Sequence, residues 1–103
     1  MLFMVIERFK NRDPVPIYRR LAQVDRAMPE GLRYVESWIE ANFDRCFQLM
    51  ECDDVVLLQQ WVLQWRDLMD FEIVPVSPSK AVRSLFATGG ETAVPPIDHG
   101  SAL

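Results

Sequence analysis

Two cysteines, four glycines and a single histidine are all that this chain of 103 residues holds of those types, and each scarcity closes a class of function. One histidine, His99, leaves no partner for a histidine-based metal cage, for haem ligation or for a Ser-His-Asp triad. Cys46 and Cys52 lie six positions apart without further ligands, which is no metal signature. Along one strand their Cα atoms sit about 20 Å apart at about 3.3 Å per residue, too far for a disulfide. Two reduced thiols are therefore expected. The glycines form no G-x-G-x-x-G, Walker or G-x-S-x-G loop, and H-E-x-x-H is missing as well. Neither a metal nor a cofactor is expected.

Positive charge is also short, with a net charge of −4, so a general electrostatic hold on nucleic acid is disfavoured. The average hides an asymmetry. Arg8, Lys10, Arg12, Arg19, Arg20, Arg26 and Arg33 crowd the first third, either as a solvated face or as a docking surface for an acidic partner. Long apolar runs are missing too: Leu2 to Ile6 is too short to span a bilayer and has no positive flank or small-residue cleavage site. No membrane partner and a cytoplasmic location are expected.

What is present is half hydrophobic, a quarter charged and 11% aromatic, the make-up of one globular domain. A domain of this length buries roughly 60 to 70% of its unfolded surface. Leu2 to Arg8 reads as a first strand, ended by Lys10-Asn11-Arg12-Asp13. Asp13-Pro14 is a helix start, and Ile17, Leu21, Val24 and Met28 form one apolar stripe. Arg19, Arg20, Gln23 and Arg26 then turn to water, and the helix runs to about Ala27 before Met28-Pro29-Glu30-Gly31 stops it. Leu32 to Glu40 and Arg45 to Cys52 form an antiparallel hairpin. Asp53 or Asp54 caps a second helix carrying Val55, Leu58, Trp61, Val62, Trp65 and Leu68. Phe71 to Val76 is a last strand, and Pro75, which has no amide donor, places it at a sheet edge or marks a gap in pairing at that position.

This order gives an α+β fold, a ferredoxin-like βαββαβ plait with a four-stranded antiparallel sheet and two helices on one face. The expected domain covers residues 1–80. Residues 81–103 hold most of a short helical segment that begins at Lys80 and runs to Phe86, and a flexible tail marked by Thr88-Gly89-Gly90 and Val94-Pro95-Pro96.

The sheet's second face is too apolar for water. Leu2, Met4 and Ile6 alternate with Phe3, Val5 and Glu7, while Phe71 and Ile73 alternate with Glu72, Val74 and Val76. Four or five such side chains left bare forgo on the order of 10 kcal/mol of gross burial. A homodimer through the open sheet face is the simplest cover, giving a dimeric α/β barrel. Coverage by Val82, Leu85 and Phe86 of the C-terminal segment is the competing explanation.

Several strings carry a resemblance: Met1 to Phe9, Pro29-Glu30-Gly31-Leu32, Ser37-Trp38, Arg45 to Glu51 and Phe71 to Val76. Over about residues 1 to 80 the chain resembles a family of short bacterial proteins known as domain of unknown function 3303. That resemblance implies the dimeric α/β-barrel class, whose wider members include cofactor-free monooxygenases, muconolactone-isomerase-like enzymes, haem proteins and stress-responsive proteins. It carries over no catalytic residue, and a fold by itself assigns none.

The candidate site residues come from strand phase. With Leu2, Met4 and Ile6 facing the helices, Glu7 falls on the opposite face, where an apolar barrel disfavours its charge and makes it an acid or base. The blander alternative sets Glu7 at the strand end, in water or paired with an arginine. Tyr34, Glu36 and Trp38 share one phase of the second strand, and Cys46, Gln48 and Met50 one phase of the third. A face combining Glu36, Gln48 and Trp38 suits a planar aromatic ligand, with Tyr34 and Cys46 as further contacts. Aromatic packing at a dimer seam is the plainer reading of these residues. Trp61 and Trp65, four apart, are expected in the core.

Two functions stay open. One is a homodimeric module that binds a small aromatic or apolar molecule or a regulatory partner. The other is a cofactor-independent, monooxygenase- or isomerase-like enzyme acting on an aromatic or quinone-like compound, with Glu7 or Glu36 as proton acceptor.

Overall fold

The computed structural model describes residues 1–87. The flexible-tail expectation and His99 fall on residues 88–103, outside the described residues.

Four strands and three helices follow in the order β1 (Leu2–Phe9), α1 (Val15–Val24), β2 (Arg33–Ile39), β3 (Arg45–Glu51), α2 (Val55–Trp65), β4 (Met69–Val76) and α3 (Ser79–Ala87). The strands form one antiparallel sheet in the order β2-β3-β1-β4, which is the ferredoxin-like plait. Pro75 lies on β4, an edge strand, where its missing donor costs no ladder bond on the outer side.

Local chemistry sets the helix limits. Asp54 Oδ1 accepts from Val56 N at 2.9 Å and caps α2. Asp13 Oδ1 likewise accepts from Val15 N at 3.0 Å at the entry to α1. α1 stops at Val24, three residues before the expected Ala27, because Asp25 turns to φ +54° and ψ −142°, and Ala27 also takes a positive φ, +54°. Leu68 lies past the end of α2, in the turn to β4. Gly31 closes the α1–β2 connection at φ +95°, a region that glycine enters without a Cβ penalty.

Strand phase is the main correction. Phe3, Val5, Glu7 and Phe9 are the buried side of β1, and register sets Met50, Gln48 and Cys46 on β3, with Ile73, Phe71 and Met69 on β4, on that same side. Here they meet Ile17 of α1 and Leu58, Trp61 and Trp65 of α2 in the core. Leu2, Met4 and Ile6 therefore face away from the helices, and Glu7 faces toward them, the reverse of the expected phase. Both phases of β1 are apolar, so hydropathy alone did not distinguish them.

The open face consequently holds Leu2, Met4 and Ile6 with Phe47, Leu49, Val74 and Val76, and Trp38 beside them. Trp38 is 52% exposed. Phe86 on α3 is also exposed, so the C-terminal helix does not supply the cover.

Candidate functional site

The helix side of the sheet is not filled completely. A cavity of about 90 Å³ lies between the sheet, α1 and α2, with Glu7, Cys46, Gln48, Ser37, Tyr18 and Arg26 among its lining. Its apolar wall includes Trp61, Trp65 and Met69.

Glu7 reaches this cavity because β1 continues straight to Phe9, and its partners in register are Cys46 on β3 and Phe71 on β4. The residue is only 4% exposed and no ion pair reaches it among the described residues, which sets aside the solvated strand-end position. Burial pushes its carboxyl up to about 7, against smaller opposing effects of a hydrogen bond with Cys46 and the positive charge of Arg26. Cys46 feels the reverse side of that contact. Burial and the neighbouring Glu7 push its thiol up to about 12, so it stays protonated and is a poor nucleophile. Gln48, also buried, donates from Nε2 to Met50 Sδ at 3.3 Å.

Arg26 was expected in water and is instead part of the cavity wall. The indole N–H groups of Trp61 and Trp65 both donate to its carbonyl oxygen, at 2.9 and 3.1 Å. Flanked by Asp25 and Ala27, both at positive φ, the Arg26 backbone is pinned to α2 and its side chain is directed over β2. The guanidinium Cζ lies 3.7 Å from the Tyr34 ring centre, a cation–π contact. Nearby, the Tyr34 and Ser37 hydroxyls lie 2.7 Å apart. On the far side of α1, Arg20 fastens the helices together with a forked pair to Asp67 at 2.8 and 2.7 Å and a bond to the Gln64 carbonyl.

The expected ligand face does not assemble. Register shifts between Tyr34 and Glu36, with Val35 as the extra residue of a β-bulge, so Tyr34 and Ser37 fall in the helix-side phase while Glu36 and Trp38 fall in the open-face phase. Glu36 nevertheless turns its carboxylate back along this edge strand, where Oε1 accepts from Ser37 N at 3.0 Å and from the Tyr34 hydroxyl at 3.5 Å. Gln48 and Cys46 stand on the helix side. Trp38 thus shares no surface with Gln48, and Glu36 lies outside the cavity that Glu7 lines. Of the six candidates, Glu7, Cys46 and Gln48 line the cavity, Tyr34 contacts it through Arg26, and Glu36 and Trp38 lie outside it.

Sequence reasoning missed Arg26, Tyr18 and Ser37. One signal pointed toward Arg26: two buried indoles need acceptors for their N–H groups, which α2 itself does not provide. A wider depression of about 470 Å³ between Gly31 and Asp53 has the exposed Arg33–Glu51 ion pair on its rim and no buried charged group. No group of three or more His, Cys, Asp or Glu among the described residues is arranged to hold a metal. No helix among them is long and apolar enough to cross a membrane.

Fold and cavity together define a ferredoxin-like α+β protein with an ionisable carboxyl enclosed between sheet and helices. Residues 1–90 match the family model described as Domain of unknown function (DUF3303), and the chain belongs to that family. No curated protein and no solved structure matches it.

Proposed function

We propose that the protein is a homodimeric module that binds a small molecule in the cavity between its sheet and helices. The observation that carries this reading is Glu7: a carboxyl 4% exposed, with no ion-pair partner among the described residues, beside a cavity of about 90 Å³. Proteins rarely bury an ionisable group without pairing it, and such groups cluster at functional sites. Two free cysteines, Cys46 and Cys52, support a reducing, cytoplasmic setting.

The second copy is supported by the open face. Leu2, Met4, Ile6, Phe47, Leu49 and Val74 form its apolar centre, with Arg45, Arg33, Glu51, Glu36 and Glu72 around them. An apolar centre bordered by both signs of charge suits a self-complementary twofold contact. Substituting Leu49→Asp puts a charge into that centre, and sedimentation equilibrium is expected to turn from dimer to folded monomer. A wild-type protein that stays monomeric at micromolar concentration overturns the dimer.

Binding is tested by two-dimensional NMR against a collection of small acids, amides and alcohols. The expected result is a set of shifts confined to Glu7, Ser37, Cys46 and the Trp61 and Trp65 indole N–H groups. Compounds that leave all of these unmoved refute the cavity as a binding site.

A second reading, cofactor-independent proton transfer, is favoured by the Glu7 pKa of about 7, a value suited to an acid–base group at neutral pH. It asks more of the cavity. An apolar space of about 150 Å³ is what benzene occupies, so an aromatic or quinone-like substrate requires the half-exposed Tyr18 to swing aside. Turnover that disappears in Glu7→Gln with binding retained separates this reading from the first.

A further inference from the structure

Resting on the small-molecule reading, we infer that the occupant of the cavity is a short-chain carboxylate bridging Arg26 and Glu7, bound together with a proton. Arg26 Nε is buried with no hydrogen-bond partner, an uncommon state for a charged donor. Its nearest acidic neighbour, Asp25, stands 4.0 Å from Nη1 and is 89% exposed in its side chain. Glu7 lines the same cavity and feels the Arg26 charge, yet the two make no ion pair.

Groups of opposite charge that line one cavity ordinarily close on each other. Here they do not: the Arg26 carbonyl is held by two indoles between two residues of positive φ, and Glu7 is held within paired strands. A third group between them satisfies both. A carboxylate in the cavity supplies the guanidinium with a countercharge sheltered from water, which the exposed Asp25 at 4.0 Å does not. Its far oxygen then faces Glu7, and two carboxyls so placed hold one proton between them. The groups facing Glu7 from the other elements do not compete for this proton. Cys46 is held protonated, Tyr18 is pushed above the ordinary phenol range by burial first and by Cys46 and Glu7 after it, and Phe71, Trp61 and Trp65 do not ionise. The volume of about 90 Å³ suits a short acid such as acetate or propionate better than an aromatic one.

The test titrates acetate and propionate against acetamide and propionamide, following the Arg26 Nε–H resonance and the melting temperature. Propionate is expected to shift that resonance and raise the melting temperature at pH 6, with affinity falling roughly tenfold per pH unit above neutrality, as uptake of one proton requires. Arg26→Gln is expected to remove the propionate response, and Glu7→Gln to remove its pH dependence. Propionamide binding as tightly as propionate, or an Arg26→Gln response equal to wild type, overturns the carboxylate and leaves small-molecule binding standing. Silence toward all four compounds overturns the carboxylate, while the wider collection decides the binding reading separately.

Discussion

Replacing Glu7 by glutamine isolates the energetic consequence of enclosing a carboxyl. In the folded protein its pKa is about 7, against 4.5 for an exposed glutamate, because burial disfavours the charged form. Below 4.5 both folded and unfolded chains carry the proton and the group is neutral in its effect. As pH rises from 4.5 toward 7 the unfolded chain ionises while the folded one does not, so stability is lost across that window. Above 7 both are ionised and the loss is complete. At 1.36 kcal/mol for each pH unit separating the two values, the total is about 3 kcal/mol, a large share of the roughly 5 to 15 kcal/mol that holds a domain together.

Glu7→Gln keeps the shape and hydrogen-bonding capacity and removes the ionisation. Urea unfolding followed by tryptophan fluorescence at fixed protein concentration is expected to give a wild-type stability that falls by about 3 kcal/mol between pH 4.5 and 8, and a variant that stays nearly level. Two other shifted carboxylates act outside this window. Glu40 and Asp67 are held below their ordinary values, first by hydrogen bonds from Arg45 and Arg20, so their stabilisation disappears only in acid. His99 is common to both proteins and cancels in the difference. A wild-type curve flat from pH 4.5 to 8, or a variant with the same slope, would show that Glu7 is not enclosed as described and would remove the basis for the cavity's chemistry.

Gly31→Ala is expected to cost about 1 to 3 kcal/mol in urea unfolding, since φ is +95° there and a new Cβ would stand 2.9 Å from Leu57 Cδ1. Trp61→Phe and Trp65→Phe each remove one of two donors to the Arg26 carbonyl, for about 1 kcal/mol of hydrogen bonding apiece. Because only the double variant leaves that carbonyl without a partner, a double-mutant cycle is expected to show a cost greater than the sum, and strict additivity would contradict a shared acceptor.

Much of the plait was readable because local signals agreed. The period of Leu58, Trp61 and Trp65, the Asp54 cap, the short hairpin connection and the donorless Pro75 each name an element or its place, and none depends on distant parts of the chain. The site was less readable, for a reason shared with the proposed dimer. A strand whose two phases are equally greasy marks its sheet as apolar on both sides, which is what calls for a second copy. The same equality removes the contrast that would say which side meets the helices. Glu7 was assigned away from the helices by its neighbours' phase, and it stands under them because Phe3, Val5 and Phe9 fill that side. One inserted residue, Val35, then shifted Glu36 and Trp38 out of the strand phase of Tyr34, and a bulge of that kind leaves no mark in a run of strand-forming residues. Arg26 was legible only indirectly, through the unmet N–H groups of two tryptophans. Its positive-φ neighbours Asp25 and Ala27 are not glycines, so their geometry is imposed by the carbonyl that α2 captures and not by their own preference. The charged groups of the cavity are thus placed by non-local contacts. Their separation, which a sequence does not display, is what gives the cavity room for a ligand.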